Sequence, residues 1–190
     1  MEIMLDFKRI TSVTELQFTN LYNLYTLAFQ PHERRNWAGL EYELMYEKRF
    51  FANVLLQDDK FVGLFNYWTF ENFSYIEHLA IVPQMRNQNI GTKAMGIYMG
   101  QTKLPIILEV EMPKNPDAIR RIHFYEKLGF QVLSHAYAQP PYEGTDFPVP
   151  MLLLSNNIHF ANTHYDLIKE KLYKNVYHYE YESERKQVED

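Results

Sequence analysis

Apolar residues recur along this chain in two rhythms, one of about 3.6 residues and one of two, and the switches between them mark its elements. Met4 to Ile10 reads as a first strand, followed by Thr11-Ser12 as a helix cap. From Val13 to Gln30 the positions Phe18, Leu21, Tyr22, Tyr25, Ala28 and Phe29 return at helical spacing, until Pro31 removes the N–H that would continue the helix. A polar segment, His32-Glu33-Arg34-Arg35-Asn36, leads to a second helix from Trp37 to Lys48. The rhythm then becomes that of strands. Phe50 to Leu56, Phe61 to Phe70 and Phe73 to Val82 are joined by short polar turns and predict an antiparallel meander.

Helical spacing returns from Ile90 to Gln101, with Ile90, Ala94, Ile97 and Tyr98 on one face. Leu104 to Glu111 is a strongly apolar strand. Asn115-Pro116-Asp117 then has the chemistry of a helix start: a capping side chain, a preset φ and a negative charge at the positive end of the dipole. That helix runs to Leu128, and Gly129 suits a left-handed exit. Phe130 to Tyr137 and Pro150 to Leu154 predict a last pair of strands around the loop Ala138 to Phe147. Ala161, Tyr165, Ile168, Leu172 and Val176 mark a terminal helix over about 157–177. The order predicts a mixed α/β (α+β) fold in one domain over 1–180, with 181–190 a charged tail.

Composition narrows the function classes. At 46% hydrophobic and 16% aromatic residues, the chain has ample material for a packed core. It holds no apolar run of roughly 18 residues and no leader pattern at its N-terminus, so neither a membrane span nor secretion is expected. With no cysteine there are no disulfides, thiolate metal sites or cysteine nucleophile, which fits a cytoplasmic protein. A net charge of −5 argues against general nucleic-acid binding. The basic pairs Lys8-Arg9, Arg34-Arg35, Lys48-Arg49 and Arg120-Arg121 read as solvated surface. The histidines lack metal-ligand spacing, and no metal is predicted.

Two stretches carry chemistry. In the first, the strand ending Leu79-Ala80-Ile81-Val82 enters a polar loop, Pro83-Gln84-Met85-Arg86-Asn87-Gln88-Asn89, before Ile90-Gly91-Thr92 opens a helix. Amides at such a turn point outward and the helix dipole adds partial positive charge, which suits a diphosphate. Gly91 lets the backbone approach a ligand without a Cβ in the way. The second stretch is Asn115-Pro116-Asp117-Ala118 followed by Phe124-Tyr125-Glu126-Lys127-Leu128-Gly129-Phe130.

Together, in this order and with one strand between them, these stretches resemble the two signatures of the GNAT superfamily of N-acetyltransferases. The first family signature, Arg/Gln-x-x-Gly-x-Gly/Ala, appears as Arg86-x-x-Asn89-x-Gly91. Asn89 replaces the first glycine, and Asn is the residue that best tolerates a left-handed backbone after glycine. The resemblance is dense from Ile76 to Phe130 and leaves only the terminal helix outside the shared pattern. It implies a central, mostly antiparallel sheet with a splayed parallel pair of strands, flanked by helices.

The resemblance also implies acetyl-coenzyme A as cosubstrate and a primary amine, of a small molecule or peptide, as acceptor. Attack would be direct within a ternary complex, and the resemblance leaves room for a homodimer. The amides from Arg86 through Asn87, Gln88, Asn89, Ile90 and Gly91 to Thr92 would grip the diphosphate. Backbone groups of Leu79, Ala80 and Ile81 would pair with the pantetheine arm. Tyr125 would protonate the leaving sulfur, since a phenol of pKa about 10 stays protonated at neutral pH. Asn115 would bond the coenzyme, although a plain helix cap looks the same in sequence.

Glu77, two residues before Leu79, is placed by strand alternation on the face of Leu79 and Ile81, and is the candidate general base if burial raises its pKa. His78 then faces the other way and packs. The acceptor pocket is expected between His32–Trp37 and Gln139–Phe147, with Glu33, Arg34, Arg35, Tyr142, Glu143 and Asp146 available. The alternative is a coenzyme A-binding module without turnover, for which Asn89 is the argument; the presence of both Tyr125 and Glu77 opposes it.

Overall fold

Strand pairing in the computed structural model, which describes residues 4–142 and 147–179, follows the apolar alternation of the sequence and breaks it at Glu77. β1 (Leu5–Ile10), β2 (Phe50–Gln57), β3 (Lys60–Thr69) and β4 (Ser74–Ile81) pair antiparallel in that order. The β2–β3 turn is Asp58-Asp59, both with positive φ (49° and 62°), the backbone form that matches strand twist in tight hairpins. β5 (Ile106–Glu111) lies parallel to β4, and β8 (Val149–Ser155) lies antiparallel to β5. The short β6 (Gln131–Val132) and β7 (Tyr137–Gln139) both pair with β8. Among the described residues these eight strands form one sheet.

α1 (Leu16–Ala28) and α2 (Trp37–Tyr46) cover one face of the sheet with the C-terminal segment; α3 (Ile90–Gln101) and α4 (Pro116–Lys127) cover the other. The first core contains Phe18, Leu21, Tyr25, Leu40, Trp68 and Ile168, all essentially without exposure. The second contains Ile76, Ile90, Met95, Tyr98, Leu108 and Phe130. No helix among the described residues is long and apolar enough to cross a membrane.

Three sequence expectations shift. Thr11-Ser12 does not cap α1. Instead the Glu15 carboxylate accepts the Thr11 and Ser12 N–H groups (2.7 and 3.1 Å), and Glu15 is extended (φ −70°, ψ 140°), so the helix starts at Leu16 rather than Val13. The expected Phe130–Tyr137 strand is two short pieces, β6 and β7. The terminal helix is broken: α5 (Ile158–Thr163) ends at His164 (φ −110°, ψ 24°), α6 (Tyr165–Lys171) follows, and Leu172–Val176 is a π-helical turn. The 181–190 tail lies outside the described residues.

The register of β4 decides what the sheet can do. Tyr67 pairs with Ile76 and Asn66 with His78, so Glu77 is an extra residue, a β-bulge. β4 pairs with β5 only through Ser74–Ile76 opposite Ile106–Leu108. Past Ile76, β5 continues to pair with β8 through Glu111, while β4 stays with β3 to Ile81, and the two parallel strands part.

The end of β4 is seated on Gly63 of β3, its register partner at Ile81. A Cβ at Gly63 would lie 2.5 Å from the Ala80 carbonyl oxygen and 2.9 Å from Ile81 Cδ1. Gly63→Ala is expected to cost about 1–3 kcal/mol in denaturant unfolding, because the contact is backbone and cannot rotate away. Unchanged stability would show that β4 does not sit so close.

Candidate active site

Where β4 and β5 separate, a cleft of about 860 Å³ opens on the α3/α4 side. Leu79, Ala80 and Ile81 of β4 form one wall, the loop and helix start at Arg86, Asn87, Asn89, Ile90, Gly91 and Thr92 one end, and Arg120, Arg121, Phe124 and Tyr125 of α4 the opposite wall. Asn87 and Asn89 are both left-handed (φ 62° and 59°), as expected for Asn89. Asn89 occupies the cap position of α3 but its side chain makes no capping bond. The first N–H groups of a helix have no intrahelical acceptor, so those of Ile90, Gly91 and Thr92 face the cleft with the positive end of the dipole behind them. A Cβ on Gly91 would meet Phe124 at an ordinary 3.6 Å, so packing within the chain does not itself demand glycine there.

Tyr125 lines the cleft half-buried, its ring edge-on to Phe124 and Phe130 (5.0 and 5.8 Å). Burial pushes its hydroxyl up to about 12, with Arg121 pulling the other way, so it holds its proton at neutral pH. Two sequence candidates stand apart from the cleft walls. Gln88 turns its amide back onto the Gln84 carbonyl (3.4 Å). Asn115 caps α4, its Oδ1 accepting the Ala118 N–H at 2.8 Å, and it does not line the cleft. Arg120 and Arg121, read from sequence as solvated surface, line the cleft. Spacing alone concealed this, since a basic pair on a helix is ordinary until the fold shows which face it lies on.

Glu77 is a correction with a physical cause. Residues on either side of a bulge do not keep simple alternation, so Glu77 turns away from Leu79 and Ile81 to the α1/α2 side of the sheet. Its side chain is wholly buried there and accepts from Arg35 Nη1, Trp68 Nε1 (2.8 Å) and the Tyr142 hydroxyl (2.8 Å). Burial pushes its carboxyl up, but Arg35, His78 and the Trp68 hydrogen bond outweigh this and hold it below its ordinary value. A carboxylate so engaged is a poor proton acceptor. His78 lies on the same side, 3% exposed, its ring against Tyr25 (4.8 Å) and Phe29 (4.5 Å) and its Nε2 on the Glu33 carbonyl (2.9 Å). Burial lowers its pKa, against the pull of Glu77 and of the Glu33 carbonyl.

Arg35 is the centre of this cluster. Its guanidinium donates to Glu77, to Glu43 Oε1 (3.1 Å) and to the Val176 carbonyl, and its backbone N–H to the Tyr25 hydroxyl (3.0 Å). Arg34 Nε is held on the Phe29 carbonyl (3.1 Å), while Arg35 and Tyr142, both hydrogen-bonded to Glu77, also line a second cavity of about 550 Å³ between the start of α2 and Pro141–Tyr142, within the two segments from which the acceptor pocket was expected. Glu143 and Asp146 lie outside the described residues. On β5, Glu109 accepts from Tyr137 (2.5 Å) and Tyr177 (2.8 Å), and burial pushes its carboxyl up to about 7. Glu111, ion-paired with Arg121 at 2.5 Å, is raised by burial and by Glu33, against the pull of Arg121.

The sequence model of the acetyltransferase (GNAT) family matches residues 18–130. A GNAT-family protein from Bacteroides thetaiotaomicron superposes with a TM-score of 0.85 at 34% identity, covering 90% of this chain and 98% of its own. Two more distant structures share the fold. A GNAT-family acetyltransferase from Elizabethkingia anophelis with acetyl-CoA bound has a TM-score of 0.56 and 15% identity, covering 80% of this chain and 96% of its own. An aminoglycoside 6'-N-acetyltransferase complexed with coenzyme A has 0.57 and 15%, covering 79% and 95%. No curated protein matches the chain by sequence.

Replacing Arg35 by Met leaves Glu43 and Glu77 buried without their cation, and unfolding free energy should fall by about 3–5 kcal/mol. A loss under about 1 kcal/mol in urea unfolding would refute the central role of the guanidinium. Glu109 gives a signature in pH. With its carboxyl at about 7 folded and near 4.5 unfolded, the folded chain holds the extra proton between those values, so stability falls as pH rises from about 4.5 to about 7 and levels off above. Glu109→Gln should lack that decline; an identical slope in both proteins would exclude Glu109 as its source.

Proposed function

The chain belongs to the acetyltransferase (GNAT) family, and from that premise we propose that it takes the acetyl group of acetyl-coenzyme A to a primary amine of a small molecule or peptide, by direct attack in a ternary complex. The observation that carries the reading is the cleft itself. A strand freed from its parallel neighbour leads through the loop from Val82 to Asn89 to a helix N-terminus that no side chain caps.

The amides of Ile90, Gly91 and Thr92 and the left-handed turns at Asn87 and Asn89 offer donors to a diphosphate, and Arg120 and Arg121 add charge from the opposite wall. The edge of β4 from Leu79 to Ile81, unpaired on the β5 side, offers an amide-bearing arm the hydrogen bonds of a missing strand. When the amine nitrogen bonds to the acetyl carbon and the carbon–sulfur bond breaks, the departing sulfur needs a proton. Tyr125, protonated and on the cleft wall, supplies it. In place of Glu77, the proton leaving the ammonium goes to Glu111, whose raised carboxyl pairs with the cleft-lining Arg121 one helical turn from Tyr125.

Titration calorimetry with coenzyme A tests the donor site, and thiol release with acetyl-coenzyme A and a panel of amines tests turnover. Tyr125→Phe is expected to lower kcat at least about tenfold with coenzyme affinity unchanged; equal loss in both would make Tyr125 a packing residue. Glu111→Gln should move the acid limb of the kcat/KM profile. If the limb stays in place, another group takes the proton.

A further inference from the structure

The end of the cleft far from the helix start is closed by an aromatic ring. Along β4, the free edge runs from Ile81, beside the phosphate-binding loop, back to Leu79, and the next residue is His78. Phe29 lies against His78 with ring centres 4.5 Å apart at 70° and lines the cleft beside Leu79. On the reading above, whatever is bonded to the sulfur at the end of the pantetheine arm points at this ring.

The ring has little freedom to yield. α1 has ended at Ala28, and Phe29 is extended (φ −122°, ψ 135°), with its N–H on the Tyr25 carbonyl (3.2 Å) and its own carbonyl taken by Arg34 Nε (3.1 Å). Behind it stand Tyr25, fully buried at 5.8 Å between ring centres, and His78, itself fixed by Glu33. Beyond His78 comes Tyr142, 6.4 Å between ring centres, which lines a separate cavity of about 550 Å³. Phe29, His78 and Tyr142 therefore wall the cleft off from that space. Among the described residues of that helix end, Ala28 lines the cleft beside Phe29.

We infer that Phe29 is the stop that sets acyl-chain length, confining the thioester to a short acyl group and excluding chains a few methylenes longer. The inference rests on the acetyl-coenzyme A reading and adds to it the residue that selects the donor. A hydrophobic pocket discriminates one methylene by roughly tenfold or more, so a rigid end wall is enough to separate acetyl from butyryl.

Because the acceptor is unidentified, the test is binding: calorimetric titration of the full chain with coenzyme A and with its acetyl, butyryl and hexanoyl thioesters. The wild type should bind the butyryl and hexanoyl thioesters at least about tenfold more weakly than the acetyl. Phe29→Ala should reduce that gap to about threefold or less with affinity for free coenzyme A unchanged, and Phe29→Leu, which keeps more of the packing against His78, should fall between. Equal affinity for all chain lengths in the wild type, or an unaltered gap in both variants with free coenzyme A still bound, would overturn the inference alone. Failure of the wild type to bind coenzyme A at all would overturn the donor-site reading and this inference with it.

Discussion

One arginine holds together four parts of the chain. Arg35 reaches Glu43 on α2, Glu77 on β4, the Val176 carbonyl of the π-helical turn and, through its backbone, Tyr25 on α1. A charge taken out of water is tolerable only when its partners are all in place, so each of these elements must dock for the others to do so. Arginine suits the position better than lysine because its planar fork presents several donors in fixed directions, one each for Glu43, Glu77 and the Val176 carbonyl. The faces of Phe50, Trp68 and Tyr142 lie within 6 Å of it and complete the enclosure.

The bulge at Glu77 is the structural counterpart of that cluster. One extra residue lets β4 turn a carboxylate to Arg35 on one side of the sheet, while Leu79 and Ile81 still pack towards α3 and α4 on the other. It falls just where β4 leaves β5, so the strand that walls the cleft is anchored from behind by a buried ion pair. The cleft needs a strand edge that no neighbour occupies, and a free edge is stable only if the strand is held from elsewhere. Here Arg35 and the close seat on Gly63 do the holding.

The electrostatics divide along the same line. The cleft offers amides, a helix dipole, a protonated phenol and two arginines, which are ion-paired with Asp117 and Glu111, and its donors suit negative charge arriving or developing. The opposite side of the sheet carries three buried carboxylates, Glu43 and Glu77 on Arg35 and Glu109 among tyrosines. Between the two stands the ring wall of Phe29, His78 and Tyr142, which keeps the cleft apart from the polar interior and gives it a fixed depth.

Local pattern alone determined much of this protein. Helical and strand periods place α3 at Ile90–Gln101 and α4 behind Asn115 because those segments form on propensity, caps and one apolar stripe, all local in sequence. The left-handed Asn89 and the Phe124-Tyr125 pair were legible for the same reason, since turn chemistry and short motifs depend on neighbours a few residues away. Glu77 was misplaced because alternation counts residues and cannot see an extra one in the ladder. Arg35 and Arg120-Arg121 looked like surface because their roles depend on which elements pack over them. Charge burial, the parting of β4 from β5 and the ring that closes the cleft each bring together residues tens of positions apart. Only the packed tertiary structure decided those, because their energies exist only once distant segments meet.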